Sequence, residues 1–484
     1  MFRRVAVVFL ALTAQTARAD EPDLRAQASA GLRRAVAFYR TSVATEGGYL
    51  WRYSDDLARR EGEGKATATQ TWVQPPGTPA VGLAYLGAHE ATGDPYYLEA
   101  AAEAARSLAR GQLRSGGWDY RVEFAPKLRR DHAYRADGGA GGRNVTTLDD
   151  NTTQEAVRFL MRVDRAAKQK DTVVHAAAVF ALDSLLKAQY PNGAWPQRYD
   201  TFPDPAKFPV RKASLPETWP RDYPGKDYRS YYTFNDNSLA DVIDVLFEAT
   251  RVYGDGKYRR AAEKGGDFIL LAQLPDPQPG WAQQYDVDMH PAWARKFEPP
   301  AVTGGEAQGV MLTLLRLYRE TGEKKYLEPL PRALAYYRKS QLPDGRLARF
   351  YELKTNRPLY FTKDYKPTHA DDNLPTHYAF KVSSRLDAIE KEYARVKDLP
   401  PGGGKEPTTA PPGKVTVAQV AAVKATLAAL DDKGRWVEGG RLKYHGPDDP
   451  TRRVIDSGTF VRNVRLLSAY LAATAPRPGD ARKE

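Results

Sequence analysis

The sequence predicts an all-α fold of the α/α toroid class, built from about six helical hairpins. Helical hydrophobic periodicity recurs along nearly the whole chain, with almost no strand pattern. The predicted helices alternate with glycine-containing turns, and the joints between hairpins resemble one another. A linear solenoid is the alternative, but its repeats are usually shorter and more uniform than the roughly 65 to 90 residues between these copies.

Each predicted hairpin contains a first helix that ends at a glycine and a second helix that leads into the next repeat. Glycine suits the left-handed conformation that closes a helix. The first helices are predicted near residues 24–45, 96–113, 172–190, 257–273, 324–341 and 415–431. The second helices are predicted near 78–92, 152–167, 238–253, 304–321, 382–395 and 458–473. Thr92–Asp94, Gly254–Gly256 and Thr321–Glu323 are the similar joints.

Residues 1–19 are predicted to be a signal peptide, because two arginines precede a short apolar run and Ala17-Arg18-Ala19 has the form of a cleavage site. We therefore expect an exported protein, periplasmic or extracellular. We also expect a monomer. No segment is long and apolar enough to span a membrane. Residues 20–398 are predicted as the toroid and 399–414 as a Pro/Gly linker. Residues 415–484 are predicted as a hairpin that closes or flanks the ring.

The composition excludes some kinds of site. The chain has no cysteine, so disulfides and thiolate metal sites are impossible. Its seven histidines are scattered and do not form a metal-binding set. The formal charge of +12 favours an acidic polymer or an anionic surface, and not nucleic acid, as the partner of an exported protein. A basic excess that serves only solubility is the alternative.

Polar loops precede two of the second helices. Asp149, Asp150 and Asn151 stand before the helix at 152–167, and the run Thr233–Ser238 stands before the helix at 238–253. A helix cap needs only one such residue. Adjacent carboxylates repel each other, and a hard cation such as Ca²⁺ would relieve the repulsion. The loops therefore predict a Ca²⁺ site, with capping among solvated side chains as the alternative.

Two later loops combine cationic and aromatic side chains. Arg295 and Lys296 are flanked by aromatic residues within His290–Pro300, and Arg349–Tyr360 has the same mixture. Arginines bind carboxylates through paired hydrogen bonds, and aromatic faces stack on sugar rings. Together with the acidic loops, this composition predicts a site for an acidic sugar polymer. An ordinary cationic loop is the alternative for His290–Pro300.

Five motifs, in order, resemble the pectate lyases of polysaccharide lyase family 10. That family has an α/α toroid and cleaves polygalacturonate by Ca²⁺-assisted β-elimination. The motifs are DDNTT (Asp149–Thr153), NGAWPQRY (Asn192–Tyr199), TFNDN (Thr233–Asn237), PAWARKFEPP (Pro291–Pro300) and RFYELKTNRPLY (Arg349–Tyr360).

The resemblance implies roles for particular residues. Arg295 would be the proton-abstracting base, and Asp149, which falls on the family's conserved aspartate, is the second predicted catalytic residue. Asp149 and Asp236 would bind Ca²⁺. A guanidinium does not lose its proton below about pH 12, so such a base needs a neighbouring cation and alkaline conditions. The predicted substrate-binding residues are Asp150, Asn151, Trp195, Asn235, Lys296, Arg349, Arg357 and His377.

The sequence also departs from the family. Consecutive arginines expected late in the chain are replaced at Leu374–Phe380, and Ala194 and Arg198 differ from the usual residues. These changes predict a divergent branch, with a different uronate polymer or weak activity. A glycoside hydrolase using Asp149 or Asp150 with Asp236 is one alternative. A non-catalytic polysaccharide-binding protein is another. A third, resting on two Q-x₃-G-x-W motifs, is a terpene-cyclase-like toroid, but it lacks the required acidic cluster.

Overall fold

The computed structural model describes residues 21–138, 141–399 and 415–475. The predicted signal peptide and nearly all of the predicted linker lie outside these residues, and the predicted domain boundaries stay a prediction. None of the described helices combines the length and the apolar character needed to cross a bilayer.

Helices dominate the described residues, and paired helices confirm the predicted all-α, α/α toroid class. They are α1 Glu21–Phe38, α2 Thr78–Thr92, α3 Pro95–Arg110, α4 Pro126–Arg129, α5 Thr152–Ala166, α6 Thr172–Ala188, α7 Ser238–Tyr253, α8 Gly256–Ala272, α9 Glu306–Thr321, α10 Leu330–Lys339, α11 Leu386–Val396, α12 Val417–Ala428 and α13 Ser457–Ala473.

Each of the twelve predicted helices is present, and the differences lie at their ends and in the interruption of one of them. The first continues from α1 into a π-helical turn, Tyr39–Val43. The helix predicted at 324–341 is divided into a 3₁₀ turn, Lys324–Tyr326, and α10. Prolines 329 and 331 explain the division, because proline lacks an N–H and is accommodated in the first turn of a helix.

Short strands, which the sequence did not predict, run through the connecting loops. They are too short for an alternating pattern to be recognised. They are β1 Arg52–Ser54, β2 Arg60–Gly62, β3 Gly64–Lys65, β4 Gln70–Trp72, β5 Arg121–Glu123, β6 Thr146–Thr147, β7 Arg198–Tyr199, β8 Tyr232–Thr233, β9 Gln284–Tyr285, β10 Ala301–Thr303, β11 Leu347–Ala348, β12 Phe350–Glu352, β13 Pro358–Phe361, β14 Pro367–Thr368, β15 Lys381–Val382, β16 Glu438–Gly439 and β17 Arg453–Asp456.

The described residues form two compact units. The first contains residues 21–68, 80–103 and 415–475. In it α1 packs against α12 and α13, beside a five-stranded sheet in the order β16-β17-β1-β2-β3. Tyr53 of β1 lies opposite Ile455 of β17 in this antiparallel sheet. The aromatic rings of Tyr39 and Phe460 stack with centroids 3.6 Å apart in its core.

The second unit contains residues 69–79 and 104–399 and carries the predicted site residues. Helices α5, α7, α9 and α11 pack against one another in succession, while α6 packs on α5, α8 on α7 and α10 on α11. A short strand precedes each of α5, α7 and α9, and its antiparallel partner follows the next helix: β6 pairs with β7, β8 with β9 and β10 with β12. The loops before α5, α7 and α9 therefore meet at one end of the helices.

The repeated Q-x₃-G-x-W motif holds each turn to the following hairpin. The amide nitrogen of Gln112, a fully buried side chain, donates to the carbonyls of Gly116 and Ala177, both at 2.9 Å. Gln189 makes the equivalent bonds to Gly193 and Ala261. The motif thus links the two turns to α6 and α8, respectively. This structural role explains the repeated motif without any cyclase chemistry.

Replacing Gln112 with alanine should lower the free energy of unfolding by about 3 kcal/mol, because two buried carbonyls each lose one hydrogen bond. Urea unfolding measures this loss. Gln341 provides a matched control, since it donates to Gly345 (3.0 Å) and Ser384 (3.4 Å) in a more exposed turn. Gln341→Ala should cost less than about 1 kcal/mol. Equal losses would show that burial of the carbonyls is not the cause.

Candidate active site

Two acidic loops share one backbone conformation. The 3₁₀ turns Asp149–Asn151 and Asn235–Asn237 lead into α5 and α7, respectively. The last two residues of each turn are left-handed, with φ of 51° at Asp150 and 47° at Asp236. Asp and Asn tolerate this conformation better than most residues. The loops are therefore copies of one structural element.

This conformation turns the carboxylates of the two loops toward each other. Asp149, Asp150 and Asp236 each place a carboxylate oxygen so that the three atoms lie within 4.8 Å of one another. Gln154 ties the loops together, since its amide donates to the carbonyls of Leu148 (2.8 Å) and Ser238 (3.1 Å). Three carboxylates in such a group are the oxygen ligands that a hard cation prefers.

The electrostatics of Asp236 are consistent with a cation site. Its side chain is open to solvent at one edge, yet desolvation by the surrounding protein raises its pKa to about 6, together with repulsion from Asp149 and Glu306. The nearby guanidinium of Arg295 opposes this rise. A bound divalent cation would relieve the repulsion.

Neighbouring side chains fix the carboxylates in place. Asp149 accepts hydrogen bonds from Tyr120 (2.8 Å), Gln197 (3.0 Å) and Arg198 (3.2 Å). Gln74 donates to Asp150 at 3.0 Å. Changing residues that orient metal ligands in this way typically lowers metal affinity about 10- to 100-fold. The departure noted at position 198 thus places a guanidinium directly on the acidic group.

Sequence reasoning missed Tyr120 and Gln197, although a repeated signal marks both. Each lies two residues after the tryptophan of a Gly-x-Trp turn. Gln283 likewise lies two residues after Trp281, although there the glycine directly precedes the tryptophan. All three tryptophans donate their indole N–H to a carbonyl at the end of the preceding helix, at 2.8 to 3.0 Å. The turns therefore deliver one polar side chain each to the site.

Arg295 lies in an ion pair with Glu298. The guanidinium donates from Nε to Oε2 (2.8 Å) and from Nη2 to Oε1 (2.5 Å). Burial alone lowers the pKa of Arg295, but hydrogen bonding and charge from Glu298 outweigh it and raise the pKa above its ordinary value. Burial raises the pKa of Glu298, and the bonds from Arg295 outweigh that effect and lower it. The pair stabilises the charged arginine, whereas a base must be neutral.

Gln283 connects the arginine with the acidic loops. Its amide nitrogen donates to Asn235 Oδ1 and to Glu298 Oε1, both at 2.9 Å. Asn235 in turn donates to Asp236 at 2.7 Å. Arg295 and Asp236 therefore belong to one hydrogen-bonded network, and the predicted site residue Asn235 lies within it.

Tyr378 brings a second arginine into the site. Its hydroxyl donates to Glu298 at 3.0 Å, and its ring centroid lies 5.6 Å from the guanidinium carbon of Arg295 and 4.7 Å from that of Arg349. Arg349 also pairs with Glu306 at 2.7 Å. Burial, with the charges of Glu298 and Glu306, raises the pKa of Tyr378. It lies within Leu374–Phe380, where the sequence departs from the family's arginine motif, but no role was predicted for it.

The remaining predicted residues are divided between the site and other places. The ammonium of Lys296 lies 3.7 Å from the ring centroid of Tyr365, and the ring of His377 lies 5.2 Å from the ring of Phe297. Both residues therefore lie in or beside the loop His290–Pro300 that carries Arg295. Asn151 donates to Glu155 at 3.3 Å beside the acidic group.

Two of the predicted substrate-binding residues do not join this arrangement. Arg357 is exposed, and its backbone N–H donates to the Thr355 hydroxyl at 3.4 Å. Trp195 is only 1% exposed and donates its indole N–H to Leu185 at 2.8 Å. Because the ring is enclosed, it cannot stack on a sugar, and the predicted substrate contact of Trp195 does not match its position. The indole instead ties its turn to the end of the preceding helix.

Residues 112–346 match the family model described as pectic acid lyase, which confirms the resemblance predicted from the sequence. None of the curated proteins matches the chain.

Solved structures that resemble the chain include a family 10 polysaccharide lyase from Cellvibrio cellulosa, at 22% identity and a TM-score of 0.45, covering 61% of this chain and 92% of that one. A mutant of a family 10 lyase from the same organism, in complex with trigalacturonic acid, has 20% identity and a TM-score of 0.44, covering 60% and 92% of the two chains. A cellobiose 2-epimerase from Bacillus thermoamylovorans has 12% identity and a TM-score of 0.45, covering 93% and 99%.

Proposed function

We propose, from the match of residues 112–346 to the family model described as pectic acid lyase, that the protein is a polysaccharide lyase acting on polygalacturonate or a related uronate polymer by Ca²⁺-assisted β-elimination. The observation that supports this most directly is the network that joins three clustered carboxylates to Arg295. It places a cation-binding group beside a charged arginine, which is the pairing an acidic sugar requires.

The residue types suit the chemistry of β-elimination. The C5 proton of a uronate is α to a carboxylate, so its removal places enolate-like charge on that carboxylate. The electrons form a C4–C5 double bond, the C4–O bond breaks, and the departing oxygen takes a proton. Ca²⁺ held by Asp149, Asp150 and Asp236 would acidify the C5 proton by withdrawing charge from the carboxylate.

We assign removal of the C5 proton to Arg295. Arg349 and Lys296 are assigned to binding the carboxylates of the substrate. Because Glu298 raises the pKa of Arg295, its action as a base requires alkaline conditions and the positive charge of the bound cation and Lys296 nearby. The rate should therefore rise with pH through the alkaline range.

An ultraviolet absorbance assay with polygalacturonate tests this function. The wild-type protein at alkaline pH should form an unsaturated product, EGTA should stop its formation, and added Ca²⁺ should restore it. New reducing ends without the absorbance would instead indicate a hydrolase that uses the same carboxylates. Binding of the polymer without either signal would indicate a polysaccharide-binding protein.

The proposed substrate also bears on location and partners. A long acidic polysaccharide does not cross a membrane intact, so we place the protein outside the cytoplasm, in the periplasm or the extracellular space. We propose that it acts as a monomer on this polymer.

A further inference from the structure

We propose that Glu298 is a positioning residue that holds the Arg295 guanidinium in one orientation and couples it to the cation-binding carboxylates. This inference rests on the function proposed above. It concerns a carboxylate that takes no part in the bond changes of the elimination itself.

The hydrogen bonds of Glu298 leave its carboxylate little freedom to move. Oε2 accepts from the backbone N–H (3.1 Å) and Nε (2.8 Å) of Arg295. Oε1 accepts from Arg295 Nη2, Gln283 and Tyr378. With five donors around it, this side chain is only 1% exposed. A buried carboxylate stays ionised only when it is satisfied so fully.

The geometry also explains how Arg295 is aimed. Pairing through Nε and Nη2 fixes the plane of the guanidinium as well as its position. The Arg295 side chain remains 43% exposed, so its other edge can reach a substrate. A displacement of about 1 Å in such a group can reduce catalysis about 100-fold. Glu298 therefore acts on the reaction through the arginine.

The coupling to the cation-binding carboxylates runs through Gln283, which is 2% exposed. Its single amide nitrogen bonds to both Glu298 and Asn235, and Asn235 bonds to Asp236. A shift of Glu298 must therefore change the hydrogen bonds that orient Asp236, a proposed cation ligand.

Glu298→Gln is the direct test, because glutamine has the same shape but turns an N–H donor toward the donors of Arg295. We expect kcat to fall at least about 100-fold while KM changes less than about threefold, because the loss of a fixed guanidinium orientation outweighs the gain from a larger neutral fraction. The rate of modification of Arg295 by phenylglyoxal, followed by peptide mass spectrometry, should rise at least about tenfold, since losing the carboxylate increases the neutral fraction. Arg259, which pairs with Glu263 on α8 at 2.8 Å, serves as the internal reference in the same digest.

Glu248→Gln is the matched control. Glu248 is a half-buried carboxylate of α7 that binds Arg162 at 2.6 and 3.2 Å and Arg158 at 3.3 Å. This change should lower the melting temperature without altering kcat or the reactivity of Arg295. If Glu298→Gln leaves kcat and the reactivity of Arg295 at their wild-type values, or changes them no more than Glu248→Gln does, the proposal is overturned.

Gln283→Met tests the coupling in a protein that keeps the Arg295–Glu298 pair. Ca²⁺ affinity measured by calorimetry should fall about tenfold, with the reactivity of Arg295 unchanged. Unchanged Ca²⁺ affinity would contradict the coupling. If the wild-type protein forms no unsaturated product, the proposed function fails, while the modification and calorimetry measurements still decide whether Glu298 holds Arg295 and whether Gln283 carries the coupling.

Discussion

Replacing Arg295 with alanine is expected to lower the rate of unsaturated-product formation on polygalacturonate at least about 1,000-fold. The change removes the guanidinium that pairs with Glu298 and lies beside the ring of Tyr378. It also leaves Glu298 buried without its partner, which should reduce the free energy of unfolding by about 3 kcal/mol. The initial rate of absorbance increase and the melting temperature are therefore measured together.

Two further variants separate catalysis from stability. Arg295→Lys keeps a charge for Glu298, so it should restore most of the stability but little of the rate. Arg259→Ala is the control, because Arg259 forms a similar pair with Glu263 on α8 and is 42% exposed. This change should leave the rate unchanged. More than about a tenth of the wild-type rate in Arg295→Ala would exclude a central role for this residue.

Replacing Asp236 with asparagine is expected to weaken Ca²⁺ binding at least about 100-fold, because one of three converging carboxylates loses its charge. Calorimetric titration of the purified protein with Ca²⁺ measures the affinity without any substrate. The absorbance assay should show a matching loss of rate, partly restored by high Ca²⁺ concentrations. Asparagine keeps an oxygen that can accept the hydrogen bond from Asn235.

Asp241→Asn is the control for this experiment. Asp241 lies farther along α7, and burial raises its pKa to about 7, but its carboxylate is not one of the three that converge. The same substitution there should leave Ca²⁺ affinity within about twofold of the wild-type value. Wild-type affinity in Asp236→Asn would show that the acidic loops do not hold the ion.

The helices were predictable because their signals are local. Apolar spacing and closing glycines are present within each segment, as for α7 and its final Gly254. The short strands were not predictable, since a pair such as β6 and β7 joins two-residue segments that are far apart in sequence. Proline at positions 329 and 331 was visible in the sequence and could have located the division before α10.

The site was predictable only in part. The carboxylates stood out because Asp149 and Asp150 exceed what a helix cap needs, and the structure brings Asp236 to them. Gln283 shares its place after a tryptophan with Gln197, and Tyr378 lies within Leu374–Phe380, but neither position alone indicates a contact with Glu298. Their importance comes from the juxtaposition of distant loops, which no local pattern encodes.

The glutamine-held turns have a consequence for ligand binding. Because Gln112 and Gln189 anchor the turns that carry Tyr120 and Gln197, the partners of Asp149 are ordered by folding itself. Little conformational entropy then remains to be lost when a ligand arrives, so more of the interaction free energy appears as affinity. Loosening a turn should weaken a ligand that never touches it, through a less favourable entropy of association.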